Sequence, residues 1–223
     1  MYSLSKNTME ITKVHHESGL GIYAPSVEVI NDWKIAKEVS REMIEWMDKE
    51  NGNFKGEHPK AFAMAHCQIV EHDHPYKLFV VDKELVVPPK LEKDSKQTLE
   101  NVYFEAQAIF NAEVLEAPEK IKRKVPQRKV TKDPNNKLKV EVEMVMEEKE
   151  IDNILEVPEG CMSFNHRKAK NVKRFYKVKV RYDYFTKGLL GEKRKTFEGW
   201  VTGLKAHIIQ HEVDHFNTKN IYF

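Results

Sequence analysis

The chain holds 223 residues, 40% of them hydrophobic and 32% charged, which is enough for one domain with a substantial core. Its 37 Lys and Arg against 35 Asp and Glu leave a formal net charge of +2, too small for a general affinity for DNA or other nucleic acid. No apolar run approaches the ~20 residues of a membrane span, so a soluble protein is expected, with no membrane partner.

Met1-Tyr2-Ser3-Leu4-Ser5-Lys6-Asn7 opens the chain without an apolar core, and no secretory leader is expected. Gly19-Leu20-Gly21 lacks the third glycine, the preceding strand and the following helix of a phosphate loop, and is expected to be a turn. From Val29 to Lys49 apolar residues recur at helical spacing, among them Trp33, Ala36, Val39, Met43 and Met47. Asn31-Asp32 offers an N-cap region and Asn51-Gly52 a stop. His66, His72 and His74 gather near Cys67, but the short loop-like stretch Glu71-His72-Asp73-His74-Pro75 is expected to be exposed rather than ligating. Cys67 itself is expected to be a small core residue. Leu78-Phe79-Val80-Val81 is a strand; Val86 to Pro89 and Val102-Tyr103 lead to another around Ile109-Phe110.

Residues 120–150 carry the densest charge. Lys120, Lys122, Arg123, Lys124, Arg128 and Lys129 precede the turn signal Asp133-Pro134-Asn135-Asn136. Beyond it Leu138, Val140, Val142, Met144 and Met146 alternate with charged residues at period two. This predicts a β-hairpin insertion with a basic and a largely acidic arm whose cross-strand charges neutralise each other. It reads as a solvated surface feature, with a contact on ribosomal RNA as the functional alternative. A second alternating run from Val172 to Phe185 turns at Thr186-Lys187-Gly188 and returns through Lys193 to Phe197. It predicts another hairpin, beneath a final helix from about Thr202 to His215.

That helix contains Gln210-His211-Glu212-Val213-Asp214-His215. Residues four apart share a helix face, so His211 and His215 can grip one metal ion, with the Glu212 carboxylate beside them as a base. The eight residues after His215 offer no convincing third ligand. The upstream candidate is Cys161 in Glu159-Gly160-Cys161-Met162-Ser163, where Gly160 lets the backbone pass close to the site. A Cys/His/His set leaves one tetrahedral position open. Two cysteines allow at most one disulfide, and a thiolate ligand calls for a reducing compartment, so the cytoplasm is expected. Asp214 is expected to help fix the helix, with orientation of a ligand imidazole as the alternative.

Glu-Gly-Cys-Met-Ser followed by Gln-His-Glu-Val-Asp-His resembles the second and third motifs of peptide deformylase. The first motif of that family, G-x-G-x-A-A-x-Q, finds its match in Ala61-Phe62-Ala63-Met64-Ala65-His66-Cys67-Gln68, with alanines at both glycine positions. Phe110-Asn111-Ala112-Glu113-Val114 and Phe197-Glu198-Gly199-Trp200 extend the likeness, which covers most of residues 8–223. The resemblance implies a single α+β domain over 1–223, with small antiparallel sheets packed around a C-terminal metal-binding helix. It implies a hydrolase that removes the N-formyl group from the initiator methionine of nascent proteins. The metal would be Fe(II), with Zn(II), Ni(II) or Co(II) as substitutes, held by Cys161, His211 and His215. Glu212 would be the acid–base, and Gln68 with the backbone N–H of Met162 would hold the oxyanion. Phe62, Ala63, Val157, Glu159, Gly160, Leu204, His207 and Ile208 would receive the substrate. The partners would be the formyl-Met nascent peptide and the ribosome, met by a monomer. Two rivals stand beside this reading: a peptidase cutting internal bonds, which lacks its downstream ligand, and an impaired deformylase-like binding protein, in which Glu212 would have no use.

Overall fold

The computed structural model describes residues 24–52, 60–69, 74–87, 103–133, 136–164, 167–188 and 191–222. The expected turn at Gly19-Leu20-Gly21, His72, Pro88-Pro89 and the hairpin tip Pro134-Asn135 lie outside them. Strands β1 (Ala63–Ala65), β2 (Leu78–Val81), β3 (Ala108–Glu116), β8 (Lys177–Gly188) and β9 (Gly191–Thr202) form an antiparallel sheet in the order β1-β2-β3-β8-β9. Between β3 and β8 run β4 (Lys120–Asp133) paired with β5 (Asn136–Asp152), then β6 (Ile154–Glu159) paired with β7 (Lys170–Phe175). Helix α1 (Trp33–Gly52) packs on one face of the five-stranded sheet and helix α2 (Gly203–Phe216) on the other.

Two covered faces explain why β2 is apolar without alternation. Leu78 and Val80 pack with Ala36, Met43 and Met47 of α1, while Phe79 and Val81 pack with Ala206, Ile209 and Phe216 of α2. Successive strand residues point to opposite faces, so a strand covered twice needs apolar side chains at every position. Each such burial contributes about 1.5–3 kcal/mol.

The helix expected from Val29 starts instead at Trp33. Asp32 caps it through its carbonyl, which accepts from the Ala36 N–H at 2.9 Å. Val29 stays extended because the side chain of Asn111 accepts from its N–H at 2.7 Å and donates to its carbonyl at 3.0 Å. The run Val172 to Phe185 is likewise not one strand. It breaks at Tyr176, whose N–H donates to the Asn153 carbonyl and whose carbonyl accepts from the Gly203 N–H, both at 2.9 Å. The chain there leaves the β6–β7 pair for the large sheet, and β8 with β9 makes the expected hairpin. Gly203 takes φ +61 as β9 turns into α2, a conformation that glycine adopts without strain.

Lys205 pins the start of α2. It is fully buried, donates to the Tyr103 carbonyl at 2.7 Å and to the Glu105 carboxylate at 3.1 Å. Its ammonium also lies over the rings of Phe197, Phe104 and Tyr182 at 4.6, 5.2 and 5.5 Å. Tyr182 donates its hydroxyl to the same Glu105.

Candidate metal centre

β6 delivers Cys161 to α2. The Cys161 Sγ lies 3.3 Å from His215 Nε2, and single ligand atoms of Cys161, His211 and His215 fall within 4.8 Å of one another. Ligand bonds of ~2.0–2.3 Å place tetrahedral donors roughly 3.3–3.8 Å apart, so modest closure would bring all three onto one ion. A soft thiolate with two imidazoles is a donor set for a borderline divalent metal.

The imidazoles are held by what surrounds them. His211 Nδ1 lies 3.1 Å from Glu159 Oε2, which leaves Nε2 for the centre. Burial alone would depress His211, but hydrogen bonds with Cys161 and Glu159 and the charge of Glu212 outweigh it and hold it up at about 10. Metal binding at Nε2 requires that nitrogen without its proton, so uptake would be coupled to pH. His215 is held well below its usual range by burial and by His211, which favours the neutral imidazole that a metal ion needs.

Arg174 ties this shell together. Its Nε and Nη2 donate to the two Glu159 oxygens at 2.8 and 2.9 Å, and its Nη1 donates to Asp214 Oδ2 at 2.5 Å. Burial would raise Glu159, yet hydrogen bonds from His211 and Arg174 bring it down to about 2. Asp214 thus ties α2 to β7 through Arg174, which also holds the Glu159 carboxylate against His211; Glu159, expected along the substrate, is taken up by these two partners. Gln210 adds a second clamp between α2 and β7. It accepts from the Phe175 N–H at 3.0 Å and donates to the Phe175 carbonyl at 2.8 Å. Sequence reasoning missed Arg174. The available signal was a charge at the same period-two parity as Val172, where a half-buried strand expects an apolar residue.

Glu212 is 2% exposed, and its Oε2 has no hydrogen-bond partner among the described residues. Burial is the main cause that pushes its carboxyl up to about 7. A buried acid that changes charge near neutrality is suited to accept and return a proton.

Gln68 reaches the centre from the other side. Its oxygen accepts from the Ala65 N–H at 2.7 Å. This turns its amide nitrogen to Ser163 Oγ at 3.1 Å and Cys161 Sγ at 3.6 Å. Ala61 and Ala63 need no glycine, because positive φ at a non-glycine residue occurs only at Asn111 and Thr218 among the described residues. Met162 opens the 3-10 turn Met162–Phe164. Gly160 shows no protein atom within 4 Å of an added Cβ, so the close approach expected there is not made by the protein itself.

The other expected substrate residues differ in how far they are buried. Ile208 is buried in the core with Ala63 packed against the same cluster. Val157 and His207 are half-buried, and burial lowers His207 towards a neutral imidazole. Phe62 and Leu204 are open to solvent, 52% and 43% exposed. Cys67 lies in the core, where burial pushes its thiol up, so it stays a neutral packing residue. His66 is buried. Its Nδ1 accepts from the Tyr76 N–H at 2.9 Å and its ring stacks on Tyr76. His74 is exposed.

A family model described as polypeptide deformylase matches residues 8–222. Among solved structures, the fold is similar to the peptide deformylase from Thermotoga maritima, with TM-score 0.52 and 18% identity over 94% of this chain and 93% of that one. It is also similar to peptide deformylase from Ehrlichia chaffeensis, with TM-score 0.52 and 19% identity over 93% and 84% of the two chains. A probable peptide deformylase from synechococcus phage S-SSM7 gives 0.50 and 20% over 95% and 99%. At these identities the solved structures establish the fold alone. A sequence comparison with curated proteins finds no match.

Proposed function

The chain belongs to the polypeptide deformylase family, and we propose that Glu212 drives its removal of the N-formyl group from new polypeptides, as formate, beside a Cys161-His211-His215 metal centre. The observation that carries the reading is the buried Glu212 Oε2, without a hydrogen-bond partner among the described residues, next to three converging donors. When bound there, a divalent metal supplies Lewis-acid polarisation and acidifies water. Glu212 takes the proton of the attacking water and returns it to the amine of the departing methionine. The Gln68 amide and the Met162 N–H donate to the oxyanion that develops on the formyl oxygen. Gln68 is suited to this because the Ala65 N–H fixes which way its amide points, and its 3.6 Å contact with sulfur is weak enough to be redirected.

Fe(II) is the proposed metal, with Zn(II), Ni(II) or Co(II) able to use the same donors. Phe62, Ala63, Val157, Leu204, His207 and Ile208 would receive the methionine side chain, with Gly160 leaving room for the peptide. Two free cysteines, one of them a ligand, favour the reducing cytoplasm, where a monomer would meet chains emerging from the ribosome. The test is formate release from a formyl-Met tripeptide by the Ni(II)- or Fe(II)-loaded protein under anaerobic conditions. Release with the peptide bonds intact is expected; cleavage of internal bonds instead would assign the centre to a peptidase.

A further inference from the structure

On the β4–β5 arm the period-two alternation leaves two apolar side chains, Met144 and Met146, on an exposed outer face. Register pairs Met146 with Pro126 and Met144 with Arg128. Residues two apart share a strand face, and this face is exposed at Lys122, Lys124, Pro126 and Arg128 as well as at the methionines. The opposite face carries Ile121, Val125, Val145 and Ile151, all buried or half-buried. Towards the base the outer face is polar as expected, with Lys122 opposite Glu150 and Lys124 opposite Glu148. Beyond it, Met144 and Met146 stand 62% and 60% exposed. Methionine is a flexible, polarisable side chain suited to binding varied apolar partners.

The arm is firmly based. Asn153 is fully buried at its foot, donates to the Pro118 and Lys177 carbonyls at 2.7 and 2.8 Å, and accepts from the Lys177 N–H at 2.8 Å. Arg123 lies over the Tyr176 ring at 4.3 Å. Asn153 alone separates β5 from β6, and β6 runs to Cys161, fifteen residues after Met146. At ~3.3 Å per residue that path is at most about 50 Å, within reach of an extended polypeptide held at the metal centre.

We infer that the arm docks the body of the substrate polypeptide, as an extended segment with apolar side chains downstream of the formyl-methionine; this rests on the deformylase reading above. Its strand would lie along the outer edge of β5, which has no strand against it among the described residues and contains no proline. The edge of β4 is interrupted by Pro126, which cannot donate. A second copy of this chain is a poorer fit. The two methionines expose on the order of 200–300 Å², against the ~800 Å² per partner of a stable interface. A nucleic acid is a poorer fit as well, because lysines on this face stand opposite carboxylates.

The test compares a formyl-Met tripeptide with a formyl-Met peptide of 25 residues carrying Leu and Val in its downstream half. Wild-type protein is expected to show about tenfold higher kcat/KM on the long peptide, mainly through KM. The double variant Met144→Glu/Met146→Glu should lose that gain and keep its tripeptide rate. In parallel, anisotropy of the same long peptide without its formyl group, dye-labelled, should show binding to wild type and about tenfold weaker binding to the variant. Equal long-peptide gain or equal binding in the two proteins overturns the inference. So does a dimer in sedimentation that the double variant dissolves, or displacement of the labelled peptide by an RNA duplex. If neither protein hydrolyses the tripeptide but the anisotropy difference holds, the deformylase reading fails while the docking surface stands.

Discussion

Arg174→Met removes a guanidinium that is 7% exposed and leaves two carboxylates without their cation. Three hydrogen bonds disappear, two to Glu159 and one to Asp214. Breaking a buried pair by deleting one partner costs about 3–5 kcal/mol, because the other charge stays behind unpaired. The loss belongs at the lower end here, since the Asp214 side chain is 33% exposed and Glu159 keeps its contact with His211. We therefore expect about 3 kcal/mol in urea denaturation of the metal-free protein. For a domain of this size that corresponds to a Tm lower by about 6–12 °C. A second effect separates this network from mere packing. With Arg174 gone, Glu159 no longer sits still against His211 Nδ1, and metal affinity measured by chelator competition should fall about 10–100-fold. Arg174→Lys should recover part of the stability but little of the affinity, since an ammonium cannot span both carboxylates in a fork. A loss below about 1 kcal/mol with unchanged metal affinity would refute the role given to Arg174.

Metal analysis of Cys161→Ser, His211→Ala and His215→Ala should show each depleted of metal; full occupancy in Cys161→Ser would remove it from the ligand set. Glu159 is held down to about 2 from an ordinary 4.5, so its stabilisation is fully present above about pH 4.5 and is lost as pH falls towards 2. Shifts of this size are worth on the order of 3 kcal/mol, so metal-free wild type and Glu159→Gln should differ by about that at pH 6 and converge near pH 2. Lys205→Met should cost about 2–4 kcal/mol by stranding Glu105, and Lys205→Met/Glu105→Gln should be less damaging than the two single losses added together. Replacing residues 124–148 by a short Gly-containing turn should leave the tripeptide rate within about twofold, because Ile121 and Asn153, which seat the arm, are retained.

The candidate metal centre was legible in the sequence because its donors are local. His211, Glu212 and His215 lie within one helical turn and a half, and Cys161 sits in a short motif. The arm was legible because period-two alternation survives in a strand that few other elements touch. Three features were not. The break at Tyr176 depends on hydrogen bonds to Asn153 and Gly203, which are 23 and 27 residues away, and no local pattern announces them. The start of α1 at Trp33 rather than Val29 depends on Asn111, 82 residues from Val29. The network of Arg174 joins β6, β7 and α2, so its charge looked like one more surface residue in a basic run. Tertiary partners, rather than propensity, decided each of these.

The most direct test of the account is the formate-release rate of Glu212→Gln at full metal occupancy. Gln keeps the shape of the side chain but cannot take a proton at the buried oxygen that has no hydrogen-bond partner among the described residues. The variant should bind metal like wild type and turn over a formyl-Met tripeptide at least about 100-fold more slowly. A metal-replete Glu212→Gln that releases formate at the wild-type rate would contradict the assignment of Glu212 as the group that moves the proton.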